Sequence, residues 1–216
     1  MPFDHTIDDL DGLRRLYAHP HPLIKDKAID HLDAQARAFV AHVPFVALAT
    51  NGPNGTDVSP RGGPPGFVTV LDDRRLALGD LAGNRRLDSF ENILANPAVG
   101  LLLMIPGMCE TVRINGRASL TTDPAVLDAC AFDGTQPKLA LGIDVDEVFL
   151  HCAKAFRRAG LWDPASWPDA ADRPRAGDIV RAHLAIEASA EAIEADLEQG
   201  YAQSMWEPGG GDAPAA

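Results

Sequence analysis

The chain has few cysteines, few aromatic residues and no long apolar run. Its three cysteines, Cys109, Cys130 and Cys152, are odd in number and form no C-x-x-C pair, which argues against a disulfide framework or a zinc site. The histidines show no metal-ligand spacing such as H-E-x-x-H, so we expect no structural metal. No apolar stretch approaches the roughly 20 residues that a membrane-spanning helix needs. We therefore expect reduced thiols and no membrane partner.

Basic residues are also scarce, with 19 lysines and arginines against 31 aspartates and glutamates and a net charge of −12. This balance makes nucleic acid or an anionic membrane surface an unfavourable partner. The N-terminus lacks the basic-then-apolar pattern of a secretory signal, so we expect a cytoplasmic protein. The arginines nevertheless cluster, at 74/75, 85/86, 113/117 and 157/158, which in an acidic protein favours local anion sites over a general steering field.

Several catalytic and nucleotide-binding motifs are missing from the sequence. There is no G-x-G-x-x-G after a predicted strand and no G-x-x-x-x-G-K-[ST], so neither a Rossmann site nor a P-loop is indicated. No G-x-S-x-G elbow is present, and Ser59 precedes a proline instead of occupying a strand-to-helix turn. Hydrolase chemistry therefore has little support.

The residue pattern predicts a mainly β chain with α decoration, in which six or seven antiparallel strands form a small barrel. The strands are expected at 45–50, 56–60, 66–71, 75–78, 99–105, 110–120 and 145–150. The uninterrupted apolar run at 99–105 predicts a strand buried on both faces. We expect an N-terminal helical arm at 1–42, which the prolines at 19–22 break into two helices. A barrel follows at 43–164, and then a connector and an acidic C-terminal helix at 165–207. The residues at 208–216 are expected to form a disordered tail.

A glycine-rich loop at 79–86 leads into an amphipathic helical pattern at 87–94. Asn84 is expected to cap this helix, which would place Arg85 and Arg86 in its first turn. Cations are unfavourable at this positive end of the helix dipole unless an anion lies there. Together with Arg61 in a second loop at 59–62, the pair predicts a monophosphate cradle. The alternative is a helix start with two solvated arginines.

A second cationic feature follows the last predicted strand. If a helix begins at residue 151, then His151, Lys154 and Arg158 lie at i, i+3 and i+7 on one stripe of its surface. This cationic stripe is either part of a binding site or a solvent-exposed helix face, and both interpretations stay open.

The sequences at 57–62, 65–68, 79–86, 96–101, 110–118 and 151–164 resemble the FMN-binding split barrel of the pyridoxamine 5'-phosphate oxidase-type flavoproteins. The similarity spans roughly residues 43–164 and is closest to a bacterial subgroup of mostly unassigned function. It implies a split β-barrel with N-terminal and C-terminal helices, with FMN bound at a homodimer interface.

The resemblance also implies roles for individual residues. Arg61, Arg85 and Arg86 would bind the FMN phosphate, while Asn84 and Asp80 would hold loop or ribityl groups. In this family the chemistry belongs to the flavin, so no catalytic residue is assigned.

Further contacts to the flavin are implied along the ring. The backbone at Val58 and Ser59 would run beside the isoalloxazine, and Thr111 would make a polar contact to it. Lys154 and Arg158 would complete the site, contributed by the partner chain.

The expected function is that of an FMN-dependent oxidoreductase acting on an unidentified small molecule, with a nicotinamide nucleotide or another electron donor. The alternatives are a split barrel that binds or senses flavin or haem without turnover, and a deazaflavin-dependent reductase. Pyridoxamine phosphate is not expected as substrate, because the family's oxidases grip it with a C-terminal strand region rich in Trp, Arg and His. Here the C-terminal segment is acidic and has no arginine after Arg181.

Overall fold

The computed structural model describes residues 3–53 and 55–209. Within its described residues, the N-terminal arm contains three short helices: α1 (Leu10–Leu16), α2 (Pro22–Asp26) and α3 (Ala34–Val40). The expected break into two helices was wrong, because Pro22 opens a short helix instead of only ending one. Proline is tolerated in a first turn, where the missing N–H has no intrahelical partner. Helix α3 packs on the barrel through Ala36 and Val40, which belong to the hydrophobic core.

In the part of the chain that the structure describes, seven antiparallel strands form one curled sheet, which confirms the expected mainly β split barrel. The strands are β1 (Phe45–Gly52), β2 (Gly55–Gly62), β3 (Val68–Val70), β4 (Arg75–Gly79), β5 (Ala98–Met104), β6 (Thr111–Thr121) and β7 (Ala140–His151). Their order across the sheet is β2-β1-β5-β6-β7-β4-β3. Strands β2 and β3 are therefore the two edges of the sheet.

The core lies on the concave side of this sheet and is built from alternating side chains. In β6, Val112, Ile114 and Ala118 are buried, as the period-two pattern predicts. The prediction that the 99–105 strand is buried on both faces was wrong. Val99 and alternate residues of β5 are buried, but Leu102 on the other face is half-buried, because that face lies on the convex side of the sheet.

The strand β7 is twice as long as predicted, since it begins at Ala140 and not at 145. Gly142 and Asp144 interrupt the apolar pattern in its first half, but they alternate with the buried Leu141 and Ile143. This first half pairs with β6 on one side and β4 on the other, so it joins the β3–β4 hairpin to the rest of the sheet.

The helices that follow the strands decorate the barrel. They are α4 (Asp88–Ala95), α5 (Pro124–Ala129), α6 (Lys154–Ala159), α7 (Ala176–Leu184) and α8 (Ala190–Ser204). The single acidic C-terminal helix expected from the sequence is two helices, because Ala185 adopts a left-handed conformation that ends α7. Within the part of the chain that the structure describes, no helix has the length and apolarity to cross a bilayer.

Pro208 and Gly209, which were expected to belong to a disordered tail, make backbone contacts with the loop after β4. Gly209 donates its backbone N–H to the Asp80 carbonyl, and Pro208 bridges Leu81. The remainder of that tail, 210–216, lies outside the described residues.

Replacing Ile114 by alanine should lower the free energy of unfolding by about 2–5 kcal/mol, because its side chain is fully buried in the core and a cavity would remain. Chemical denaturation measures this loss. Ile179→Ala is the matched control: its side chain is 47% exposed on α7, so the loss should be less than about 1 kcal/mol. Equal losses in the two variants would contradict the assignment of the core.

Candidate functional site

A cleft of about 830 Å³ lies between β2 and the loop at 80–87 that follows β4. This volume is in the range of small-molecule and cofactor sites. Seven of the residues singled out from the sequence line it: Val58, Ser59, Arg61, Asp80, Asn84, Arg85 and Arg86. The curl of the sheet creates the cleft, since β2 is an edge strand and β4 is the second strand from the opposite edge.

Strand β2 supplies one wall through its alternating side chains. Asp57, Ser59 and Arg61 occupy one face of the strand and are half-buried, whereas Val58 on the other face is 63% exposed. The register with β1, in which Ser59 lies opposite Leu48, fixes this orientation.

A hydrogen-bond relay links this wall to α4. The Ser89 hydroxyl donates to the Asp57 carboxylate at 2.7 Å and lies 2.9 Å from the Ser59 hydroxyl. Since the single proton of Ser89 is used by Asp57, Ser59 must donate to Ser89. The Ser59 oxygen therefore faces the cleft as an acceptor only. Asp57 and Ser89 were not singled out from the sequence, because their partners are some thirty residues apart and leave no local signal.

Arg61 lies at the more buried end of the cleft, here called its floor, since 28% of its side chain is exposed against 73% for Arg86. Its guanidinium lies 3.6 Å from the Asp80 carboxylate and 5.3 Å from the centre of the Phe90 ring. Its Nε–H is buried and has no acceptor among the described residues. A buried guanidinium donor without an acceptor fits an anionic ligand, because an oxyanion would supply the missing hydrogen bond.

The loop at 80–87 differs from the sequence prediction. Asn84 does not cap the helix: α4 begins at Asp88, and its N-cap residue Leu87 makes no side-chain hydrogen bond. The Asn84 side chain instead accepts from the backbone N–H of Arg86 at 3.1 Å. Arg85 and Leu87 have φ values of 60° and 62°, so the chain here is not helical. The arginine pair therefore precedes the helix and is not in its first turn.

The arginine pair is presented toward solvent at the cleft rim. Arg86 donates from Nε to the Asp88 carboxylate at 2.8 Å, and its side chain is 73% exposed. Arg85 forms no ion pair within the described ranges 3–53 and 55–209. Lys138, on the segment before β7, lines the same cleft and adds a fourth cation. Nothing in the sequence around Lys138 indicated this position.

The other three predicted contacts lie elsewhere. Thr111 is buried at the start of β6, where it pairs with His151. Lys154 and Arg158 are exposed on α6, and none of these residues lines the cleft. The expected helical stripe was wrong in one respect: His151 belongs to β7, and the helix begins only at Lys154. Whether a partner chain brings these residues to the site stays a prediction.

The electrostatics of the cleft floor are set by the Asp80 carboxyl. Burial raises the pKa of Asp80, and the nearby Arg61 guanidinium partly opposes this rise. When ionised, Asp80 also puts negative charge beside the cations of the cleft.

The fold and the cleft define the chain as a split-barrel protein. Residues 32–152 match the sequence profile of the family described as pyridoxamine 5'-phosphate oxidase. This match covers more than half of the chain, so the chain belongs to that family of flavin-binding split barrels. No curated protein matches the chain.

Solved structures with similar folds include three bacterial proteins of low identity. A variant of HupZ from Group A Streptococcus is 15% identical, with a TM-score of 0.46, covering 56% of this chain and 99% of its own. General stress protein 26 from Bacillus anthracis is 15% identical, with a TM-score of 0.41, covering 53% and 88%. A FAD-binding protein from Mesorhizobium loti is 16% identical, with a TM-score of 0.37, covering 56% and 93%.

Replacing Asp80 by asparagine should change the pH dependence of stability. The pKa of Asp80 is raised in the folded chain, so the protonated carboxyl contributes to the stability of the fold. This contribution is full below the ordinary pKa of 3.8 and is lost as pH rises through the raised pKa. The unfolding free energy of Asp80→Asn relative to the parent should therefore rise from pH 4 toward pH 7. Denaturation at several pH values measures this, and a constant difference would contradict the raised pKa.

Proposed function

We propose that the chain is an FMN-dependent oxidoreductase that acts on a small molecule as a homodimer. The observation that carries the proposal is the cleft itself. It gathers Arg61, Arg85 and Arg86 in a strongly acidic protein and leaves a buried Arg61 donor without an acceptor among the residues that the structure describes. Family membership supports flavin as the ligand.

The cleft residues fit the different parts of FMN. Arg61, Arg85 and Arg86 would hold the phosphate through charge-assisted hydrogen bonds. Ser59, fixed as an acceptor by Ser89, would receive a hydrogen bond from a ribityl hydroxyl or a ring N–H. Asp80 would keep the Arg61 side chain in its binding orientation. FMN, when bound, supplies hydride or electron transfer, and the protein supplies orientation and charge.

A homodimer would cover the convex face of the sheet. Leu102 and Met104 of β5 and Phe149 of β7 are half-buried there, although they belong to the face opposite the core. Arg113 lies 4.3 Å from the centre of the Phe149 ring and provides a charged neighbour at this apolar surface. We propose that a second copy packs on this face and brings Lys154 and Arg158 toward the flavin of its partner.

The reducing partner is proposed to be a nicotinamide nucleotide or another electron donor, and the substrate is an unidentified small molecule. Pyridoxamine phosphate is not the proposed substrate. Between Pro164 and Ser204 the structure has helices and short turns, with no strand among the described residues of that region. Arg175, one of its arginines, is already engaged by Glu191 and Glu194.

Spectroscopy of the purified, FMN-reconstituted protein tests the cofactor. A flavin spectrum that dithionite bleaches supports the proposal. A Soret band would favour the alternative of a haem-binding split barrel. Uptake of a deazaflavin in preference to FMN would favour a deazaflavin-dependent reductase, and bound FMN that no donor reduces would favour a non-catalytic flavin protein.

The double variant Arg85→Ala/Arg86→Ala should weaken FMN binding at least tenfold, because each charge-assisted hydrogen bond to a phosphate contributes about 1.5–3 kcal/mol. Isothermal titration calorimetry of the flavin-free protein measures the dissociation constant. The matched control is Arg74→Ala/Arg75→Ala, an adjacent pair held by Asp30 and Asp72.

The control pair lies outside the cleft lining, so its removal should leave FMN affinity within about twofold of the parent. Circular dichroism and thermal melting confirm that both variants fold. Unchanged affinity in the folded Arg85→Ala/Arg86→Ala variant, or equal losses in both double variants, would contradict the phosphate assignment.

A further inference from the structure

The chain returns to the cleft at its C-terminal end. After α8, residues 206–209, here called the C-terminal strap, run antiparallel to the beginning of the loop at 80–87, here called the arginine loop. The backbone N–H of Ala82 donates to the Glu207 carbonyl at 2.9 Å, and the N–H of Gly209 donates to the Asp80 carbonyl at 3.0 Å. The two hydrogen bonds flank a bridge between Leu81 and Pro208, so the strap forms a short ladder with the loop.

The strap is also attached to the barrel beside this ladder. The Trp206 ring lies 5.5 Å from the Phe132 ring, centre to centre. Trp206 and Pro208 line a cavity of about 150 Å³ together with Phe67 and Cys130. The strap is therefore held on one side by aromatic packing and on the other by the arginine loop.

Gly209 lies so close to Asp80 that a larger residue at this position would have to displace the Asp80 side chain. A Cβ atom added to Gly209 would lie 1.8 Å from the Asp80 Oδ2 atom, well inside van der Waals contact. Asp80 in turn lies 3.6 Å from Arg61, whose buried Nε finds no acceptor in the described part of the chain. Gly209 itself lines the cleft. The strap therefore bears directly on the ion pair at the cleft floor.

We propose that the C-terminal strap is a positioning element of the anion site. It fixes the Asp80 carboxylate, and through it the Arg61 guanidinium, and it orders the start of the loop that carries Arg85 and Arg86. The identity of the anion as FMN rests on the proposed function, whereas the ordering of the loop does not. Any change that releases the strap should loosen the loop and weaken the anion site together.

Gly209→Ala tests this inference in the full-length protein, with Gly200→Ala as the matched control. Gly200 lies in α8, and an added Cβ would meet nothing within 4 Å. In Gly209→Ala, hydrogen exchange at the Ala82 amide of the flavin-free protein should be at least tenfold faster than in the parent. The dissociation constant for FMN should rise at least fivefold. Gly200→Ala should leave both quantities within twofold of the parent.

The two readouts separate this inference from the proposed function. Unchanged exchange at Ala82 in Gly209→Ala would overturn the ordering role, and faster exchange with unchanged FMN affinity would overturn the link to the anion site. If the parent protein binds no FMN, the proposed function fails. The inference is then decided by hydrogen exchange at Ala82 and by titration with inorganic phosphate, which replaces FMN as the binding probe. If Gly209→Ala does not fold, Trp206→Ala replaces it, since that residue is 52% exposed and the same changes are expected.

Discussion

The contact between Arg61 and Asp80 joins parts of the sheet that are far apart in strand order. Arg61 lies on β2, the first strand across the sheet, and Asp80 follows β4, the sixth, yet their side chains are 3.6 Å apart. Only a strongly curled sheet brings these positions together. The cleft, the orientation of the arginine loop and the docking of the C-terminal strap all depend on this closure.

The same contact balances two opposing electrostatic effects. Burial of Asp80 is unfavourable for its charged form, and Arg61 partly compensates. Asp80 then cannot satisfy Arg61 fully, because 3.6 Å is longer than a hydrogen bond and the Nε–H remains without an acceptor in the described chain. The cleft thus has at its floor an Arg61 N–H donor that no described residue uses, and further cations at its rim. Both features suit an anionic ligand within an acidic protein.

Local patterns predicted the strands well, because alternation in segments such as β6 directly reflects burial on one face. They also brought attention to the arginine loop and to Arg61, since paired cations stand out in an acidic sequence. Features that depend on distant partners were not predictable. The left-handed residues Arg85 and Leu87 displaced the helix start, and the donor direction at Ser59 depends on Ser89. Likewise, Lys138 and Gly209 reach the cleft only through the tertiary fold.

The most direct test of the account is a crystal structure of the protein with FMN. We expect the phosphate to contact Arg61 together with Arg85 or Arg86, with an oxyanion accepting from the Arg61 Nε–H and the ring extending along Ser59 of β2. A flavin bound with its phosphate away from all three arginines would contradict the account. So would a complex in which the cleft between β2 and the arginine loop stays empty while FMN occupies another surface.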